Sequence, residues 1–516
     1  MKNIPQQKQI QIIPYTTGQM EQSDLYINPV HPENYNLLNT IGLDVKYGVT
    51  NNLTLDITIN PDFGQVEADP AELNLSAFET YFEEKRPFFV EGGNIFNYVL
   101  GIGDGDQSRN SLFYTRRIGR SPHYSANWGE YGDGYVTEPS STRILGAAKL
   151  SGKTSKGWSI GILNAVTVEE KALIEYEDGS EFNQTIEPLT NYFVNRVQKD
   201  FREGKTTIGG IVTATNRKID DAYLDWLHSD AYSAGIDFSH LFAENKYMLL
   251  GGGAFTNVIG SPNAIINTQT GSNHYFQRSD ADHLKVDSTA THLSGFTENA
   301  AIFKVSGDWR WGFGQWVFSP GFEANDLGYH RDVDNQVQFV WFSRQENEPG
   351  KYIRDYRSNL SIWHSTNFGY EAHPMGANIN FNMTLMNYWE LGSGINYNGP
   401  DIRTTALWGG PAIKTDGRLG SWFYLSSNRN KDLSVSVNGY GNQAITGTSS
   451  AGINTNLNWR PATNISVGFS VNYNHQIDTW ANWSGYGPTY DMQNETKEYL
   501  LAHFNQKTLS STFRLD

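Results

Sequence analysis

Apolar and polar residues alternate with a period of two from one end of this chain to the other. Successive side chains of a strand point to opposite faces, so such a segment becomes a strand with one apolar and one polar face. Ile41, Leu43, Val45 and Tyr47 alternate with Gly42, Asp44, Lys46 and Gly48; after a turn at 50–52, Leu53, Leu55, Ile57 and Ile59 alternate with Thr54, Asp56, Thr58 and Asn60. The pattern returns at Ala377, Ile379, Phe381, Met383 and Leu385 against Asn378, Asn380, Asn382 and Thr384. It is sharpest at Ile465, Val467, Phe469, Val471 and Tyr473 against Ser466, Gly468, Ser470, Asn472 and Asn474. Hairpins of this kind fit residues 143–167, 192–215, 231–258, 301–324, 403–427 and 433–459. Together they predict about 20 strands, with no sustained helical periodicity.

Two features turn the strands into a membrane barrel. Short turns (151–156, 202–204, 243–245) alternate with long polar links (169–190, 216–230, 259–299), as in outer-membrane barrels, whose two rims differ. The polar face is Asn, Ser, Gly and Thr, and aromatic residues gather near strand ends: Tyr47, Trp158, Trp309, Trp311, Trp316, Trp459 and Tyr473. These rings suit the girdles at a membrane interface. No motif recurs at propeller spacing, and a stacked sandwich would carry more Lys and Glu on its wet face. The reading is an all-β protein, a large antiparallel transmembrane β-barrel of roughly 18–24 strands in the bacterial outer membrane. Outer-membrane lipid is its expected surrounding. Aromatics make up 13% of the 516 residues and charged residues 18%. No run of apolar residues is long enough for a spanning helix.

Composition also removes whole classes of chemistry. With no cysteine, disulfides, thiolate metal sites and a cysteine nucleophile are excluded. The net charge of −16 argues against a nucleic-acid partner, which needs clustered Lys and Arg. No sequence feature calls for a cofactor or a metal. Asp104, Gly105 and Asp106, and Asp332 to Asn335, are oxygen-rich turns without the closing Glu of a calcium loop.

Alternation stops between Pro61 and Arg120, which divides the chain into first barrel strands (1–60), an inserted lumen plug (61–120) and the remaining strands and loops (121–516). Residues 71–84 are read as a short helix with Leu75, Phe78 and Phe82 on one face, Asp69 near its start and Pro87 ending it. Glu67, Asp69, Glu79, Glu83, Glu84 and Glu91 are expected to pair with Lys85, Arg86, Arg116, Arg117 and Arg120. Phe78, Phe82, Phe88 and Phe89 favour an inward fold over a solvated loop.

The stretch from Asn60 to Gly92, with Leu112–Arg120, closely resembles an uncharacterised family of outer-membrane barrels from Bacteroidetes and related Gram-negative bacteria. The resemblance covers essentially the whole chain. It implies a barrel that follows a signal peptide and a β-sandwich like the family-9 carbohydrate-binding modules, and it brings no established activity. Against that pattern the chain lacks the leader and sandwich and ends at Asp516 rather than an aromatic residue, so both ends read as trimmed and barrel closure is left open. The precursor's carbohydrate-binding-like domain is an expected partner.

Two functions follow as expectations. The leading one is a non-enzymatic channel, transport or surface-assembly component linked to glycans, because Tyr124, Trp128, Tyr131, Tyr135, Trp226, Trp480, Trp483, Tyr486 and Tyr490 could stack on sugars. The rival is an outer-membrane hydrolase with a site at the loop rim, for which His240 and His475 lie near strand ends. Gly157-Trp158-Ser159-Ile160-Gly161 matches the G-x-S-x-G elbow, but it sits inside an alternating strand where the elbow needs a strand–turn–helix.

Overall fold

The computed structural model describes residues 9–22, 35–61, 78–102, 109–129, 131–132, 134–371, 374–445, 447–482, 489–491, 496–499 and 501–515. Twenty strands form one sheet. In chain order they are β1 Ile10–Gln22, β2 Tyr35–Thr50, β3 Leu53–Ile59, β4 Ile144–Lys153, β5 Trp158–Thr167, β6 Leu189–Phe201 and β7 Thr206–Lys218. There follow β8 His228–Phe242, β9 Tyr247–Gly260, β10 His292–Lys304, β11 Trp309–Phe318, β12 Asn335–Glu346, β13 Ile353–Thr366 and β14 Gly376–Leu385. The last are β15 Glu390–Asn398, β16 Arg418–Ser426, β17 Leu433–Ala444, β18 Ser449–Ala462, β19 Ile465–Asn482 and β20 Leu501–Leu515. Each pairs antiparallel with the next in chain order, the meander of a large outer-membrane barrel. Among the described residues no pairing joins β20 to β1, so the wall has a seam there.

The rims differ as the link lengths require. Links 51–52, 154–157, 202–205, 243–246, 305–308, 347–352, 386–389, 427–432 and 463–464 lie at one rim, and the opposite rim carries the long ones, 445–448 excepted. The outer face is apolar: Val212, Ile236, Phe255, Phe296, Phe313 and Phe342 are all exposed to the outside. At the short-link rim the outer rings form a belt. His240 stacks on Phe242 (5.8 Å), Phe242 on Tyr247 (5.5 Å), Tyr247 lies 5.9 Å from Trp311, and Trp158, Trp309 and Trp459 stand exposed at the same level. The wall thus has an oily exterior bounded by an aromatic edge. The chain is a β-barrel of the bacterial outer membrane.

Three readings of the sequence are corrected. Trp316 is not in the girdle: its parity on β11 is opposite to that of Trp309 and Trp311, and it packs inward, 5.8 Å from Phe339 of β12. Residues 403–427 are not a wall hairpin, because Asp401–Arg403 pairs with Ile413–Thr415 in a separate two-stranded ribbon and only β16 joins the wall. Of the expected helix, residues 78–84 are not helical and 71–77 lie outside the described residues. Pro87 opens α1 (Pro87–Val90) instead of ending a helix, since a proline at the first helical position gives up no hydrogen bond.

Residues 60–143 leave the wall at the long-link rim. Their described part folds against the inner face. Phe89, Phe96, Tyr98, Leu100, Leu112 and Ile118 form a core with Ala147, Leu163, Tyr192, Val194, Ile211 and Ala254 of the wall and Phe318, Phe322 and Leu327. Each large side chain buried in this way contributes about 1.5–3 kcal/mol. The insertion thus lies on an apolar patch of the lumen wall.

Candidate functional site: the lumen

The insertion is fastened at three depths. Nearest the short-link rim, Lys149 on β4 donates to the carbonyls of Phe88 and Glu91, the latter at 2.6 Å, and Lys46 on β2 pairs with Glu91. At mid-height the Tyr98 hydroxyl lies 2.8 Å from the carbonyls of Ile236 and Gly253 and donates to them. Its ring lies over Arg196, whose guanidinium reaches Asp237 (2.8 Å) across the intervening β7. That crossing needs Gly209, where a Cβ would come within 2.5 Å of both charged groups. Nearer the long-link rim, Arg117 pairs with Glu79 (2.7 Å) and donates to Gly328 O (3.0 Å) and Asn325 Oδ1 (3.2 Å).

The remaining acidic and basic residues singled out in the sequence fall as follows. Arg86 bonds Glu84 (2.7 Å) and donates to the carbonyls of Ile118 (2.6 Å) and Thr115 (2.8 Å). Burial works against the Glu84 carboxylate, but Arg86 outweighs it and holds its carboxyl below the usual range. Arg116 donates to Glu83 O and lies 4.0 Å from Glu84, and the Lys85 backbone N–H donates to Glu84. Arg120 lines a polar cavity of about 320 Å³ beside Glu79 and Arg117. Glu67 and Asp69 lie outside the described residues.

That polar cavity holds a relay that sequence reading missed. His228 Nδ1 is 2.8 Å from Asp326 Oδ2 and its Nε2 is 2.6 Å from Thr268 Oγ1, while Arg217 also binds Asp326 (2.6 Å). The order Asp–His–hydroxyl is that of a nucleophilic triad. Here, however, Thr268 sits in α2 (Pro262–Thr270) and its hydroxyl donates to Ala264 O (3.0 Å), the usual back-bond of a helical threonine. His228 Nε2 must then donate to Thr268, and Nδ1 to the carboxylate, so no ring nitrogen is left to accept the hydroxyl proton. The relay is a tie between β7, β8, α2 and the link 319–334. His240 bonds Thr206 (2.8 Å) and His475 bonds Asn505 (2.8 Å), neither of them a serine. Ser159 lies within β5 and is followed by strand, not helix. Asp334 is engaged by His283 (2.7 Å) and the Phe368 N–H (2.9 Å). Asp104 and Asp106 lie outside the described residues.

On the side the insertion leaves open is a cavity of about 1300 Å³. It is lined by β10–β15, by Phe78, Ile102 and Asn110 of the insertion, and by residues 401–405. On β13 the lining residues are Arg357, Asn359, Ser361, Trp363 and Ser365, every second position. At about 3.3 Å per residue they span roughly 26 Å along the strand, which at a tilt of about 40° is about 20 Å of the ~25 Å apolar band of such barrels. The cavity therefore runs most of the height of the wall. Phe303, Trp316, Phe339, Trp341 and Trp363 form one side of it. The other carries asparagines: Asn359 donates to Asn380 (2.8 Å), Asn380 to Asn378 (2.6 Å), and Asn378 to Asn396. The loop aromatics proposed for sugar stacking are placed differently. Tyr124 and Tyr131 pack onto Ala126, Ala172, Ile174 and Ile186 beneath a three-stranded sheet outside the wall, and Trp483 and Tyr486 lie outside the described residues.

A profile described as "Domain of unknown function (DUF5916)" matches residues 8–516. The chain belongs to this family. No curated protein matches it. Among solved structures the DUF5916 chain is similar to the siderophore receptor PirA from Acinetobacter baumannii, at 10% identity over 100% of this chain and 74% of that one, with a TM-score of 0.41. It is similar also to the FrpB iron transporter from Neisseria meningitidis (10%, 99% and 75%, TM-score 0.40). A third is an anion-selective porin from Comamonas acidovorans (9%, 69% and 98%, TM-score 0.28). At these scores they bear on nothing this chain binds or carries.

Proposed function

We propose that this DUF5916 chain is a non-enzymatic channel or transport component of the outer membrane, and that residues 61–120 act as a plug narrowing its lumen. The observation that carries the reading is the cavity beside the insertion that runs most of the wall's height, lined on β13 at every second residue from Arg357 to Ser365. Solute passes along that face while the plug fills the rest. Attachment to an N-terminal carbohydrate-binding-like domain, in a Bacteroidetes-type precursor that works on surface glycans, is the setting we favour. The hydrolase alternative draws no support from the Asp326–His228–Thr268 relay, whose threonine hydroxyl is committed to Ala264 O.

Planar-bilayer conductance of the reconstituted chain tests this, with heat-modifiable gel mobility as the check on folding. A steady small conductance that grows when residues 61–120 are deleted is the expected result. A folded protein that passes no current with or without the segment would refute it.

A further inference from the structure

We infer that the lumen cavity is an oligosaccharide track, selective for chains carrying scattered acidic groups; this rests on the channel reading and names its substrate class. Three observations carry it. First, the aromatic side is a ladder rather than a patch. Trp316 lies 5.8 Å from Phe339, Phe339 6.2 Å from Phe303, and Phe303 6.4 Å from Trp341, with Trp363 level with Phe339 on the next strand. Inward positions recur about every 6.6 Å along a strand, comparable to the length of one sugar ring. Aromatic faces take up the C–H face of such a ring without demanding a particular linkage.

Second, the neighbouring strands supply amides at the same levels. Asn378 pairs across the ladder with Ser361, and Ser361 with Trp341. The bonds linking Asn359, Asn380 and Asn378 use only part of their capacity, since each amide has two N–H groups and two lone pairs. The remainder suits hydroxyl groups, which both donate and accept. Two further lining atoms, Trp316 Nε1 and Asn335 Oδ1, are buried and have no hydrogen-bond partner among the described residues, an unusual state for buried polar atoms.

Third, the charge left without an ion pair is sparse and cationic. The lining carries four arginines and three aspartates. Arg278 is taken by Asp280, Arg331 bonds the Tyr329 hydroxyl and Asp332 accepts from Asn335, whereas Arg357, toward the short-link rim, and Arg403, in the 401–405 ribbon, make no ion pair among the described residues. Asp334 is already engaged by His283. Two guanidiniums at separate points suit intermittent carboxylates or sulfates, while a strand with a phosphate at every unit would call for many more. The width agrees: about 1300 Å³ over roughly 26 Å leaves a mean cross-section on the order of 50 Å², room for a single extended chain.

The test is block of single-channel current by maltohexaose and by a galacturonan oligomer of equal length, with equilibrium binding to the detergent-solubilised chain measured in parallel. The galacturonan should bind and block about tenfold more tightly than the neutral chain. Trp341→Ala and Trp363→Ala should each weaken equilibrium binding of both sugars to the solubilised chain by about tenfold, and Trp341→Phe should restore most of the loss. Arg357→Gln with Arg403→Gln should remove only the preference for the acidic chain. Current without binding or block by either sugar overturns the inference and leaves the channel reading standing. Sugar binding in a chain that passes no current does the reverse. Equal affinity for the two sugars overturns the role given to the arginines.

Discussion

Replacing Tyr98 with phenylalanine removes one oxygen atom from the middle of the lumen. That oxygen lies 2.8 Å from two wall carbonyls, on β8 and β9, which share its single hydrogen. A neutral hydrogen bond of this kind is worth about 1 kcal/mol net, so Tyr98→Phe should raise the undocked population of the insertion about five- to tenfold. Tyr98→Ala also empties a ring that is 3% exposed and should cost about 3–5 kcal/mol, more than a hundredfold. Gly235→Ala attacks the same contact from the wall, since its Cβ would come within 2.6 Å of the Tyr98 hydroxyl. Hydrogen exchange of amides 92–100 in the reconstituted protein reads the effect directly, and it should rise in the order wild type, Tyr98→Phe, Tyr98→Ala. Global thermal unfolding should move far less, because the strand-to-strand hydrogen bonds of the wall are untouched by these substitutions. Unchanged exchange in Tyr98→Phe, or exchange that rises equally across β6–β10, would refute the idea that this hydroxyl docks the segment locally.

Other expectations follow from the same geometry. Arg117→Ala should free the segment near the long-link rim at a cost of about 2–4 kcal/mol, and Arg117→Lys should rescue little, because only the forked guanidinium reaches Glu79, Gly328 O and Asn325 together; protease sensitivity near residue 120 reads this. Gly209→Val should split the Arg196–Asp237 pair over β7 and leave a buried cation, costing about 3–5 kcal/mol in a chemical-denaturation midpoint. Burial pushes His274 down to about 4 from an ordinary 6.5, so its unfolded form takes up the proton first. Stability of the 271–334 region is then full above about pH 6.5 and falls by up to about 3 kcal/mol on the way to pH 4. His274→Gln should flatten that slope in local hydrogen exchange.

The wall was legible because lipid outside and water or insertion inside force a strict parity on every strand, and parity survives in the sequence as alternation. Residue type alone puts Trp309, Trp311 and Trp316 together, but an odd–even difference sends Trp316 to the lumen. The aromatic side of the cavity is signalled in residues 337–342, where Val337, Phe339 and Trp341 alternate with Gln338, Val340 and Phe342, so that the half facing inward carries no polar residue. Such a strand departs from the polar lumen face of its neighbours. The Asn ladder was visible as the polar half of β14, but its function depends on β13 and β15 lying alongside, and that is a property of register. The insertion was visible as a break in alternation, yet its partners are backbone carbonyls of distant strands, which no residue type announces. The Asp326–His228–Thr268 relay joins positions up to 98 residues apart and had no local signal at all.

The central claim, that solute moves along one face of β13 from Arg357 to Ser365, can be tested by cysteine substitution, since the chain has no cysteine of its own. Single cysteines at 357, 359, 361, 363 and 365 should each react with a water-soluble, membrane-impermeant thiol reagent and reduce the current through the reconstituted chain. Cysteines at 358, 360, 362 and 364, facing lipid, should not react. Labelling that ignores parity, or modification at the odd positions that leaves the current untouched, would contradict it.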